Sequence, residues 1–408
     1  MEILYPRCAG LDVHKDSVVA RVRCISPPEI EETKSFATTT AALIELEEWL
    51  TSCAVTHVAM EATGVYWKPL WHILEEHFTL VLANASHIKN VPGRKTDVND
   101  AAWIADLLAH GLIRSSFVPP APIQALRDLT RTRKQLVREI SQHTLRIQKT
   151  LEDANLKLDS VLSSILGASG RAILQALIGG ETDPERLADL AQGNARKKRA
   201  ALIEALHGRI TPHHRHLLKL HLELIAALER ALAEVDATVG KRLAPIQHCA
   251  ERLTTVPGIS EITAHVVIAE IGIDMARFPT AAHLLSWATM CPRNDESAGK
   301  RRSTRTRKGS PWLKTALVTA AWAAVRVKGS YLAAQFQRLK PRRGAKKAIL
   351  AVAASMLTAI WHMLKHDVDY RDLGAEHFSR RDKSRAILRL VRRLNDLGCE
   401  VTLTPQPA

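Results

Sequence analysis

The sequence predicts an α/β domain on one mixed sheet followed by all-α architecture, and three observations carry that reading. Short strand-like segments alternate with helical ones over residues 1–118. Two long apolar runs at three- and four-residue spacing follow Pro119, Pro120 and Pro122. The remainder is helical and rich in clustered cations. A chain of 408 residues exceeds what one hydrophobic core usually serves, so several domains are expected.

Residues 7–12, 17–25 and 31–38 are strand-like and separated by polar turns, one containing Ser26, Pro27 and Pro28, which predicts a β-meander. A helix over 41–52, a strand over 57–61, a helix over 66–76, a strand over 79–83 and a helix over 97–110 follow. The order βββαβαβα predicts a mixed sheet flanked by helices, the RNase-H-like arrangement.

Beyond the prolines, Leu126, Leu129, Leu136, Ile140, Ile147, Ala154 and Leu158 follow a broken heptad. Leu218, His221, Ile225, Leu228, Leu232, Val235 and Val239 form a cleaner one, with Gly240 as the expected stop. Together they predict a long helical, coiled-coil stalk. Its seams suit either antiparallel packing on each other or packing on a second subunit, and the sequence leaves both open. Residues 160–208 read as short helices punctuated by glycines. In residues 253–272 (LTTVPGISEITAHVVIAEIG) a Pro–Gly turn lies between two helical stretches, as in a helix-hairpin-helix, whose turn offers N–H groups to a phosphate. A plain αα-hairpin is the other reading. The expected domains are 1–118, 119–248 and a basic helical 249–408.

Lys and Arg number 57 against 42 Asp and Glu, a formal charge of +15. Such an excess concentrates polyanions, so nucleic acid is the expected partner. Arg301, Arg302, Arg305, Arg307 and Lys308 form one cluster, Arg342, Arg343, Lys346 and Lys347 a second, and Arg380, Arg381, Lys383 and Arg385 a third. The six cysteines include no C-x-x-C pair, which argues against zinc and against a disulfide framework. The start lacks a signal-peptide profile. The longest apolar stretch, 348–364, contains Ser355, Thr358 and His362 and reads as a buried helix, so no membrane is expected and a cytoplasmic location is. His213, His214 and His216 read as a solvated helix start without an acidic partner.

Asp12 and Glu61 end predicted strands, and Asp97 and Asp100 open a predicted helix on one face. Four carboxylates brought together repel unless they take up protons or hold divalent cations, and hard oxygen donors favour Mg²⁺ or Mn²⁺. Two such ions stabilise the entering and leaving oxygens of a phosphodiester exchange. The plainer reading makes Asp97 an N-cap, Asp100 its capping-box partner and Asp12 a turn residue. Asp16 falls in a turn, and Asp106 on a helix face that recedes from the site.

GLDVHK, MEATGVYW, KTDVNDA and WIADLLAHGL resemble the DEDD transposases of a bacterial insertion-sequence family, as do TTVPGISEITAHVVIAEIG, SAGK and RKGSPWLKTAL. The resemblance spans most of the chain. It implies a RuvC-like amino-terminal domain, with Asp12, Glu61, Asp97 and Asp100 as metal-binding acids. It also implies a carboxy-terminal serine domain, a structured bridge RNA that pairs with donor and target DNA, and a homo-oligomer, dimer or tetramer, in which acids and serine come from different subunits. A bacterial, nucleoid-associated location follows from the same likeness.

Ser297 is the residue that matches the family's nucleophilic serine, although Ala298 stands where a second small residue or glycine is common. Ser303 and Ser310 are its local rivals. Phosphoryl attack by a hydroxyl needs a proton acceptor and cations around the phosphoryl oxygens. Lys300, Arg301, Arg302, Arg305, Arg307 and Lys308 surround it in sequence. The expected function is a transposase, a recombinase that cuts and rejoins DNA. A junction-resolving nuclease that uses only acids and water is one alternative, and a non-catalytic nucleic-acid scaffold is the other.

Overall fold

The structure is a computed structural model that describes residues 2–62, 64–84, 88, 100–292, 295–297, 299–303, 305, 306, 309, 311–378 and 383–402. Asp97, Arg307, Lys308 and Ser310 lie outside the described residues, and for Ser297, Arg301 and Arg302 the description is of the backbone. The chain divides into two compact units, Met1–Val118 and Pro119–Ala408.

In the first unit, β1 (Arg7–Val13), β2 (Ser17–Cys24) and β3 (Ile30–Ala37) form the expected meander. After α1 (Thr40–Ser52), β4 (His57–Glu61) joins β1 in parallel. After α2 (Trp67–Leu74), β5 (Thr79–Ala83) joins β4, also in parallel. The mixed sheet runs β3-β2-β1-β4-β5.

Strict alternation in β2 turns Val18, Ala20, Val22 and Cys24 toward a core shared with Leu43, Leu46 and Leu50 of α1 and Leu70 and Leu74 of α2. The edge strand β3 carries exposed Glu31, Glu32 and Lys34, charges that discourage further strand pairing. The opposite face is covered by α3 (Asp100–Ala109), whose Ile104, Leu107 and Leu108 pack with Cys8 and Ala59. Gly10 makes this possible. A Cβ there would lie 2.3 Å from the Ala101 carbonyl oxygen and 2.4 Å from the Ala105 nitrogen, so only glycine lets the helix backbone lie on β1.

The second unit begins with α4 (Ala121–Asp153), entered through Pro120 and Pro122. Four short helices follow: α5 (Leu158–Val161), α6 (Ala168–Gly179), α7 (Pro184–Asp189) and α8 (Arg199–Ala205). They lead into α9 (Pro212–Leu243), which packs antiparallel on α4. Arg133 meets Asp236 at one end at 2.6 Å, His143 meets His221 midway at 3.2 Å, and Asp153 meets His214 at the other end at 2.9 Å. Ile147, Leu151, Leu218 and Ile225 join the short helices in one core.

Two local expectations change. The α9 helix passes Gly240 and ends at Leu243, where the chain tightens into a 3-10 turn over Ala244–Ile246; Pro245 has no backbone N–H with which to continue the α-helical hydrogen-bond ladder. His214 is buried rather than solvated, since the antiparallel pairing supplies the acidic partner Asp153 and the ring caps the Thr211 amide.

The carboxy-terminal helices are α10 (Gln247–Thr254), α11 (Glu261–Ile271), α12 (Ala281–Trp287), α13 (Pro311–Ala324), α14 (Tyr331–Arg343), α15 (Ala345–His366) and α16 (Lys383–Asp396). Between α12 and α13 lie β6 (Asp295–Ser297) and β7 (Lys300–Ser303). By length and composition α15 is apolar enough to cross a membrane, yet Val352, Met356, Leu357 and Ile360 are buried among its neighbours. At the Pro–Gly turn between α10 and α11, Gly258 has φ +83° and presses on α13: a Cβ there would lie 2.3 Å from the Ala320 carbonyl oxygen. That close approach makes the turn part of the helical core.

Candidate active site

The parallel pairing of β1 with β4 places the first two acids. Its last registered pair is Leu11 with Met60, so Asp12 and Glu61 stand one step beyond, side by side at the carboxyl ends of neighbouring strands. Alternation puts Asp12 with Cys8 and Gly10, and Glu61 with Ala59, on the α3 face. Asp100 opens α3 one residue before Ala101, whose backbone lies over Gly10. Asp12, Glu61 and Asp100 therefore share one face and one end of the sheet.

His14, two residues along β1's direction, brings Nε2 to 3.2 Å from Asp12 Oδ2. Asp12 itself is half-buried, whereas Asp100 is exposed. Among the described residues no three His, Cys, Asp or Glu side chains form a metal-ligating group, and Asp97 lies outside that set. Chemically, carboxylate oxygens at this end suit Mg²⁺ or Mn²⁺ better than a thiophilic ion.

Asp106 is occupied elsewhere. It forms an ion pair with Arg23 of β2 and approaches the His110 ring, so it fastens α3 to the sheet at a distance from the strand ends. Beneath the same helix, Cys8 donates toward the Ala105 carbonyl, and burial pushes its thiol up to about 12, which leaves it an inert core group.

In the second unit, Ser297 ends β6 and faces Lys300 across an antiparallel hairpin, with Glu296 opposite Arg301 and Asp295 opposite Ser303. Gly299 takes the turn at φ +73°. An isolated bridge between Pro292 and Thr306 extends the pairing, and Lys314 of α13 donates to the Thr306 hydroxyl at 2.8 Å. The hairpin thus sets Ser297 at a tight turn with a lysine opposite. Lys300 and Arg305 are exposed. Ser303 is differently engaged: its hydroxyl accepts the Arg305 amide at 3.2 Å.

One cationic feature is invisible to a search for runs of adjacent Lys and Arg. Arg127, Arg131, Lys134 and Arg138 recur at helical spacing on α4, so they form a stripe in space without forming a cluster in sequence.

Both regions coincide with known families. Residues 9–155, which hold all four acids, match the IS110 DEDD family described as "Transposase". Residues 250–337, which hold Ser297, match the "Transposase IS116/IS110/IS902 family". Together the matches cover more than half of the chain. A family 20 transposase of Pseudomonas aeruginosa is 27% identical over 323 residues, covering 77% of this chain and 85% of that protein. An uncharacterized 43.6 kDa protein of insertion element IS110 from Streptomyces coelicolor is 27% identical over 68% of this chain and 73% of its own length. The transposase for insertion sequence element IS1111A of Coxiella burnetii is 26% identical over 40% of this chain and 45% of its own.

The mixed sheet with acids at its strand ends is the RNase H-like fold of a DEDD transposase domain, a class of DNA-cutting and rejoining enzymes that bind DNA and generally use divalent metal ions. The chain belongs to the IS110 family of transposases.

Proposed function

We propose that this transposase breaks and rejoins DNA through Ser297, with Asp12, Glu61, Asp97 and Asp100 holding Mg²⁺ (or Mn²⁺) at the same phosphate. The observation that carries the reading is the registered placement of Asp12 beside Glu61 under the opening of α3. In this reading residues 1–118 are the catalytic acidic domain, 119–248 the helical stalk and 249–408 the domain that presents the serine. A structured guide RNA selects the DNA, and acids and serine from different subunits of a homo-oligomer complete the site.

When bound, the ions would neutralise charge on the phosphoryl oxygens. The chain's own part is the exchange of esters. The Ser297 Oγ–P bond forms as one phosphodiester P–O bond breaks, the hydroxyl proton passes to a neighbouring base, and the displaced sugar oxygen takes up a proton. Lys300, Arg301, Arg302, Arg305, Arg307 and Lys308 supply positive charge along the DNA. Attack by a second sugar hydroxyl reverses the step on a new strand, so rejoining needs no ATP.

A suicide DNA substrate nicked near the crossover tests this. It should trap a protein–DNA adduct that survives denaturation and disappears on proteolysis. Ser297→Ala should abolish the adduct while DNA binding stays within about twofold, since one neutral hydroxyl changes the cationic surface little. An adduct at Ser303 or Ser310 would keep the mechanism and replace the residue. Free hydroxyl and phosphate ends with no adduct would overturn the serine and favour water activated at the four acids.

A further inference from the structure

A cavity of about 220 Å³ lies in the second unit where α4, α11 and α13 meet, away from the serine hairpin's strands. Its walls are chemically divided. Val137, Ile262, Val266 and Ala316 make an apolar lining, with Trp312 as a broad aromatic wall and Thr263 and Thr319 adding hydroxyls. At the Trp312 side stand three cations from successive turns of α4. The Arg131 guanidinium lies 5.5 Å, the Lys134 ammonium 5.4 Å and the Arg138 guanidinium 5.7 Å from the ring centroid.

The local acid does not balance these cations. Glu270 is 1% exposed and accepts two hydrogen bonds from Arg131, at 2.8 and 2.9 Å, while Arg127 also approaches it. Arg133 is taken by Asp236. Glu270 thus pairs with Arg131 and approaches Arg127, which Asp128 also faces, and among the described residues no carboxylate pairs directly with Lys134. Burial, and then the Arg138 guanidinium, push the Lys134 ammonium below the usual lysine range. Holding like charges together is costly, and an anion between them removes that cost.

We propose that this cavity is a subsite for one unpaired nucleotide, its base received against Trp312 and the apolar lining and its phosphate held by Lys134 and Arg138. The size selects for a single ring system, since pockets for drug-sized ligands run to roughly 300–1,000 Å³. The division of the walls selects for a nucleotide over a bare anion, which would leave the aromatic and aliphatic lining unused. Duplex DNA keeps its bases stacked inward, so the occupant is a base from a single strand or one turned out of a helix. The shared chemistry fits a displaced DNA strand and a loop of RNA, and the inference does not rest on Ser297 as nucleophile.

Fluorescence anisotropy on the full-length protein with oligo-dT, oligo-U and a duplex DNA of equal length tests the subsite. Trp312→Ala should weaken single-strand binding roughly 5- to 150-fold, the range for removing one base–aromatic stack, and leave duplex affinity unchanged. Trp312→Phe should restore most of the affinity. Lys134→Ala should lower the single-strand slope of log affinity against log salt by about 0.7. Loss confined to oligo-dT assigns the site to DNA, loss confined to oligo-U assigns it to RNA, and equal loss assigns it to either strand chemistry. Unchanged single-strand affinity in Trp312→Ala overturns the proposal.

A measurement on the unmodified protein guards against a misfolded variant. Photocrosslinking to 5-iodouracil oligonucleotides at saturation should give adducts in peptides containing residues 130–137 or 312–319. Adducts only elsewhere, or none, overturn it as well. Binding to no nucleic acid at all would sink the transposase reading too, whereas intact duplex binding with no Trp312 effect would sink only the subsite.

Discussion

The acidic end of the first unit and the serine hairpin of the second are positioned by different means. Asp12 and Glu61 extend from β1 and β4, central strands whose register is set by residues buried on both faces, so their separation follows from the pairing itself. Ser297 stands on a hairpin with strands of three and four residues, too short to be stable alone. Its position depends on the Pro292–Thr306 bridge and on Lys314 reaching Thr306 from α13. On the proposed mechanism, acids that share ions gain from a rigid frame, and a nucleophile that meets DNA and leaves it again can be carried on a tethered loop.

That contrast can be attacked first at the acids. Asp12→Asn should reduce strand exchange by about a thousandfold or more, because removing a metal ligand forfeits several kcal/mol of transition-state stabilisation. Folding should be unaffected, as the change removes charge from a half-buried position without removing volume. Strand-exchange assays across a Mg²⁺ titration, beside thermal melting, decide it. Normal exchange by this variant would show that Asp12 holds no ion.

The frame is tested by Gly10→Val. The new side chain would drive into the Ala101 and Ala105 backbone, so the first unit should lose about 3 kcal/mol or more, the upper range of overpacking. Calorimetry should register the loss in the first unit's transition while Pro119–Ala408 melts as before. An unshifted transition would mean that α3 does not depend on its close approach to β1.

The smallest effect is expected at the hairpin's cations. Replacing Arg301, Arg302 and Arg305 together by Ala should flatten the salt dependence of duplex binding by about 0.9 for each phosphate that is no longer neutralised. Anisotropy titrations over a range of salt give the slope. An unchanged slope would show that these side chains face solvent in the complex, and would move the DNA-holding role to the α4 stripe.

Much of the first unit was legible because its signals are local. Period-two burial in β2, the turn at Ser26, Pro27 and Pro28, and the helical spacing of Leu43, Leu46 and Leu50 each lie within a few residues. The places of Asp12, Glu61 and Asp100 were legible for the same reason: they lie next to the end of β1, at the end of β4 and at the start of α3. The β6–β7 hairpin was not. Its residues, Asp-Glu-Ser and Lys-Arg-Arg-Ser, are polar throughout and lack an apolar alternation, so only backbone pairing reveals the strands.

By itself, then, the sequence determined the order of strands and helices in the first unit, the places of Asp12 and Glu61 near strand ends, the buried apolar helix and the cationic excess, since hydrophobic period, turn chemistry and charge act over a few neighbouring residues. The tertiary structure alone decided that α4 pairs with α9, that His214 finds Asp153 sixty-one residues away, and that Arg131, Lys134 and Arg138 gather around Trp312. These pairings join segments distant along the chain. They are chosen by which surfaces bury together once the loops between them close, and no local preference encodes that choice.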